Sequence, residues 1–141
     1  MKIIYERPPN FEDIRKVFPM ADNYGVIFAF NGAIYSPSGG DIPYPLIKHE
    51  EVHCERQGTT EADAVKWWAM YLKSMDFRYA EELVAHRAEY LECIETAKNR
   101  NMKRKALKFI SKRLASPLYG NMVTKKQAGI KILNSAPEKG K

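Results

Sequence analysis

The hydrophobic pattern changes period several times along the chain, and each change predicts a new element. Lys2-Ile3-Ile4-Tyr5-Glu6 reads as a short first strand, stopped by Pro8-Pro9. Phe11, Ile14, Val17 and Phe18 then fall at helical spacing, predicting a helix over 11–18 that ends at Pro19, with Asn10 and Asp13 as a capping pair. The runs Gly25–Phe30 and Ala33–Tyr35 flank Asn31-Gly32, which predicts a β-hairpin over 25–36, because both residues of a tight hairpin turn need positive φ. A loop over 36–41 and an extended Ile42-Pro43-Tyr44-Pro45 lead out of it.

Helical periodicity dominates the rest. A helix over 45–57 closes near Gly58, and Thr60 with Asp63 caps another over 61–75. A third spans 77–98, with Phe77, Ala80, Val84, Leu91 and Ile94 as its apolar positions. A basic helix over 102–114 ends before Pro117, a Leu118–Asn121 turn follows, and residues 124–133 form a last short helix. The pattern predicts an α+β domain: a small N-terminal sheet or hairpin packed on a predominantly helical region. Residues 1–133 form one domain in this reading, and 134–141 are a disordered tail.

Composition narrows this picture. No run of eighteen apolar residues exists among the 141, so no membrane partner is expected. The N-terminus turns charged within a few residues and lacks the apolar core of a signal peptide, which makes the cytoplasm the expected location. Two cysteines are too few for a disulfide framework. Residues 1–97 carry a net charge of −6 and residues 98–141 one of +12. A basic end on an acidic body suggests an anionic partner, either nucleic acid or another protein subunit, gripped through residues 98–133; a merely solvated basic helix is the alternative.

His49-Glu50-Glu51-Val52-His53 carries the candidate chemistry. Histidines four apart on a helix stack on one face, so both imidazoles reach one ion, and zinc accepts neutral imidazole nitrogen readily. Glu50 lies beside that face and is placed to take a proton from zinc-activated water. Cys54, one residue after His53, points about 100° away and is expected not to coordinate. A third ligand is sought on the 77–98 helix, where Glu82, Ala85, His86, Glu89 and Cys93 make a stripe beside the apolar one. Glu82 fits best, since small Ala85 lets the two helices approach; Glu81 or Glu89 would be the substitutes. His86, one turn on, would make an outer hydrogen bond or stabilise a developing oxyanion. Gln57 continues the metal face and would bond a ligand or the substrate. Ala33–Ser36 is the candidate edge strand for an extended substrate, and Tyr119 a candidate oxyanion donor. Trp67 and Trp68 are expected in the core.

His49-Glu50-Glu51-Val52-His53 followed on a later helix by Glu82-Leu83-Val84-Ala85 resembles the glutamate zincins, metallopeptidases whose third zinc ligand is that glutamate. More narrowly, the combination of His49 to Gln57, Trp67-Trp68 with Tyr71-Leu72, and Phe77-Arg78 leading into Glu82 is similar to small phage and prophage metallopeptidases over roughly residues 40–120. The resemblance implies a minimal zincin-like fold, a zinc cofactor held by His49, His53 and Glu82, Glu50 as general base, and a protein or peptide substrate. For a phage-encoded chain it implies the host cytoplasm or the virion as location. It also admits a catalytically silent zincin scaffold serving as a virion or assembly component. Many glutamate zincins carry Asp four residues after the third ligand to orient a histidine; His86 stands there instead, leaving that supporting role unassigned.

Overall fold

The computed structural model describes residues 1–116 and 123–134. Strand β1 (Lys2–Ile4), helix α1 (Phe11–Val17) and a 3-10 turn (Pro19–Asp22) lead into the hairpin of β2 (Phe28–Phe30) and β3 (Ala33–Tyr35). Helices α2 (Tyr44–Gln57), α3 (Glu61–Lys73), α4 (Met75–Thr96), α5 (Arg100–Leu114) and α6 (Lys125–Asn134) follow, so the fold is α+β as the pattern predicts. No helix among the described residues is long and apolar enough to cross a membrane. The tail from residue 135 and Tyr119 with its turn lie outside the described residues.

The hairpin turns at Asn31 (φ 49°) and Gly32 (φ 81°), the positive-φ pair the sequence calls for. Its strands are shorter than the hydrophobic run, for Val26 and Ile27 precede β2. The sheet order is β1-β3-β2, with β1 parallel to β3 and β2 antiparallel to it. Strand β3 is therefore central, and the expectation that Ala33–Ser36 offers a free edge is corrected: both its flanks are paired, and the Ser36 amide donates to the Ile4 carbonyl. The proposed Asn10 cap also fails. Its side chain makes no capping bond, and the Phe11 amide turns back to the Pro8 carbonyl.

Helix α2 ends at Gly58, whose φ of 109° excludes other residues at little cost, and where a Cβ would meet the Asp63 carboxylate at 2.7 Å. Thr60 Oγ1 accepts from the Asp63 amide at 3.1 Å and starts α3. Ser74 alone separates α3 from α4; its hydroxyl accepts from the Phe77 amide, so α4 begins two residues before the predicted start. Arg78 donates to the Tyr71 and Leu72 carbonyls and fixes this corner. At the far end, Arg87 donates to the Ile132 and Leu133 carbonyls and binds the last turn of α6 to α4.

Two apolar clusters result. One joins Phe11, Ile14, Phe18, Phe28 and Phe30 to Trp67, Trp68 and Tyr71; the other joins Ile110 and Leu114 of α5 to Ala128 and Ile132 of α6. Helix α4 departs from the expected amphipathicity. Ala80 and Val84 face solvent, while Arg78, Glu81, Glu82, Ala85, His86, Arg87 and Glu89 are buried. The polar stripe is the inner one, and α2 packs chiefly on it.

Candidate metal centre

Helix α2 buries His49, Glu50, His53, Cys54 and Gln57 on one side. Helix α4 meets that side at Ala85, which is fully buried and small enough for close approach. Across this seam Glu82 Oε1 lies 3.2 Å from His49 Nε2, and Glu82 Oε2 lies 3.2 Å from His53 Nε2. These three residues are each no more than 4% exposed, and their ligand atoms lie within 4.8 Å of one another. They could hold a metal ion. The structure thus brings together the two histidines and the carboxylate singled out from the sequence.

Orientation of these groups is set by their neighbours. Tyr71 donates its hydroxyl to Glu82 Oε2 at 2.5 Å, while Glu82 Oε1 is buried with no hydrogen bond to a described residue. A carboxylate oxygen aimed at an imidazole nitrogen, with no other donor beside it, suits a cation or that imidazole's own proton. Burial opposes the Glu82 charge, but His53 and His49 override it and hold its carboxyl well below the usual range. His53 packs its ring 5.2 Å from that of Trp67. Trp67 and Trp68 are core residues as expected, and Trp67 Nε1 donates to Glu81.

Glu89 is the supporting carboxylate. Its Oε1 lies 3.0 Å from His49 Nδ1 and 3.2 Å from His86 Nδ1, and Arg113 of α5 donates to its Oε2. Burial pushes the Glu89 carboxyl up, but His49, His86 and Arg113 outweigh it and lower it strongly, so it is ionised. An ionised carboxylate only accepts, which places a hydrogen on Nδ1 of both histidines. His49 then directs Nε2 towards Glu82 and the shared space. The atoms of His49, His86 and Glu89 also lie close enough for an ion. There, however, the imidazole Nδ1 atoms are already engaged with a carboxylate that Arg113 neutralises, which makes this group a support.

His86 is fully buried behind His49, with ring centroids 4.4 Å apart. Its place is that of an outer partner. Burial and the neighbouring His49 lower its pKa to about 4, so it is neutral near pH 7. His49 behaves oppositely. Burial would depress it, yet Glu82 and Glu89 against its two nitrogens raise it to about 10. The pocket holds a positive charge on His49 whenever nothing else supplies one.

Glu50 is 7% exposed, 4.0 Å from His49 Nε2, and has no hydrogen bond to any described residue. Burial raises its pKa. It stands at the border of two cavities. One, of about 70 Å³, reaches from His49, His53 and Glu82 into the aromatic cluster; the other is a groove of about 460 Å³ bounded by Tyr24 to Ile27, Pro45, Leu46, Phe109 and Arg113.

Other expectations resolve differently. Glu81 is no ligand: Arg56 grips it with two bonds of 2.8 Å, and Trp67 adds a third. Gln57 does not turn to the metal side but clamps the hairpin, donating to the Ala29 carbonyl and accepting from the Asn31 amide. Cys54 donates to the Ala33 carbonyl at 3.6 Å, and burial pushes its thiol up to about 11. Tyr71 and Arg113 were missed as members of the site. The sequence offers Glu89 only as a substitute ligand, although its position two turns after Glu82 signals a shared face. Searches against protein families, curated proteins and solved structures find no match for this chain.

Proposed function

We propose that the protein is a zinc-dependent metallopeptidase, with His49, His53 and Glu82 as metal ligands and Glu50 as general base. The spacing carries this reading. Ligands about 2.0–2.1 Å from a tetrahedral zinc stand about 3.3 Å apart, and His49 Nε2 and His53 Nε2 each lie 3.2 Å from a Glu82 carboxylate oxygen, Oε1 and Oε2 respectively. Two histidines and one carboxylate leave one coordination position for chemistry. The motif resemblance to the glutamate zincins points the same way.

A zinc ion there supplies Lewis acidity towards a carbonyl and towards water. The rest falls to the chain. Glu50 is a buried carboxylate with no hydrogen-bonding role among the described residues, facing both the ligand cluster and the groove. Burial raises its proton affinity, which suits a group that takes a proton from water and returns it to a leaving amine. Glu89 holds His49 in the tautomer that coordinates, and Tyr71 holds Glu82. The Gly25–Ile27 segment borders the groove beside Glu50, where a peptide would lie. A catalytically silent scaffold has no comparable use for a buried carboxylate that no described residue hydrogen-bonds at that border.

The test is cleavage of unfolded casein by purified protein, with and without a chelator, beside Glu50→Gln. The proposal expects chelation to stop cleavage and zinc to restore it. Glu50→Gln should retain its metal while cleavage falls about 10²–10⁴-fold. Cleavage that survives both treatments rejects the assignment.

A further inference from the structure

Helices α5 and α6 meet in a second feature, on a different face from the metal ligands. Between residues 98 and 134 the chain carries eleven Lys and Arg and no Asp or Glu. Arg104, Lys105 and Lys108 of α5 and Lys125 and Lys126 of α6 line one groove of about 600 Å³, and all five are exposed. Among these five, no ion pair with a described residue offsets the charge. Like charges concentrated on a fold with acid to spare elsewhere repel one another, so a structural role does not account for them.

The groove is built as well as charged. Gly129 lets α6 approach α5, since a Cβ there would come within 3.2 Å of Ser111 Oγ. Ser111 lines the groove, is 3% exposed, and its hydroxyl has no hydrogen-bond partner among the described residues. Thr124 and Gln127 cap α6 reciprocally, with bonds of 2.9 and 3.1 Å. That cap presents Lys125 and Lys126 at the positive end of the helix.

We infer that the α5–α6 groove binds the phosphate backbone of double-stranded nucleic acid. Helix α5 is about 22 Å long, enough for its cations to meet several successive phosphates of a strand. Four of the five side chains are lysines, which neutralise phosphates as point charges without reading a sequence. No aromatic ring lines the groove among the described residues, and Phe109, on another face of α5, is covered by the Arg113 guanidinium at 5.5 Å. Base stacking, on which single-strand binding depends, has no platform there. The inference does not rest on the metal reading, because none of these side chains touches the metal ligands.

The experiment is fluorescence anisotropy with a labelled 20-base-pair DNA duplex and full-length protein, over a series of salt concentrations. Affinity should fall steeply with salt, with a slope of log K on log salt near −3 to −5 for about four to five phosphates. A Lys105→Glu/Lys108→Glu/Lys126→Glu variant should lose at least tenfold in affinity and flatten the slope. Lys2→Glu/Lys16→Glu makes two like charge reversals on a distant surface and should change affinity less than threefold. Thermal melts check that both variants fold. Equal losses in the two variants overturn the groove assignment. So does equal or tighter binding of a single strand, displacement by polyglutamate at matched charge (an acidic protein partner), or displacement by millimolar inorganic phosphate (a small-anion site).

Discussion

Helices α4 and α5 lie side by side yet dispose of charge in opposite ways. Helix α5 buries Ile110 and Leu114 and turns its cations to solvent, the ordinary arrangement of an amphipathic helix. Helix α4 exposes Ala80 and Val84 and buries Glu81, Glu82, His86, Arg87 and Glu89. Burying ionisable groups is tolerable only when each meets its complement. Glu81 meets Arg56, Glu89 meets His49 and Arg113, and Glu82 meets two imidazoles. Charge turned inwards on α4 is matched within the fold, while the cations α5 turns outwards into its groove with α6 are left unmatched by any described residue. Arg113 links the two, since it belongs to α5 but serves Glu89 of α4.

If α4 is organised around its polar face, the greatest loss of stability should come from Glu82→Ala. It leaves two buried imidazoles facing each other without their carboxylate and should destabilise the fold by about 3–5 kcal/mol in chemical denaturation. A loss below 1 kcal/mol would mean that the cluster is not interlocked. Glu89→Gln is milder. It retains shape but removes the charge that orders His49, and zinc affinity measured by competition with a chelator should fall about 10–100-fold.

The same matching sets the pH response of chelated, metal-free protein. Glu82 and Glu89 are held below their ordinary value of 4.5, and His86 falls from 6.5 to about 4. The unfolded chain therefore binds more protons on acidification, and stability declines from about pH 6.5 downwards, partly offset by the raised Glu50. His49 is raised from 6.5 to about 10, so its contribution is full below pH 6.5 and is lost as pH climbs towards 10. If zinc takes the place of that proton, as proposed, saturating zinc should remove the alkaline decline in thermal melts; a decline unchanged by zinc would separate His49 from the metal. The smallest effect is expected at Val84→Lys, which places a charge where α4 already faces water and should shift stability by no more than about 0.5 kcal/mol.

How much of this was legible follows from the range of each interaction. The hairpin turn at Asn31-Gly32, the Thr60 cap and the shared helix face of His49 and His53 are local, and the sequence predicts each of these placements. Glu82 was legible through helical spacing and the small Ala85. The 3-10 turn at Pro19–Asp22 and the one-residue break at Ser74 leave weaker local signals, which neighbouring helical patterns obscure. Three misreadings are long-range. Strand β3 becomes central only because β1, some thirty residues earlier, pairs beside it. Gln57 is captured by the hairpin, and α4 turns inside out because α2 supplies imidazoles for its carboxylates. Arg113 joins Glu89 across 24 residues, which no spacing rule anticipates.

The central claim is that His49, His53 and Glu82 surround one metal ion. Elemental analysis of protein purified without added metal and then dialysed with one equivalent of zinc tests it most directly, with Glu50→Gln and Glu82→Ala in parallel. The account predicts one zinc per chain for the unaltered protein and for Glu50→Gln, and less than a tenth of that for Glu82→Ala. Full zinc in Glu82→Ala, or none in the unaltered protein, would contradict it.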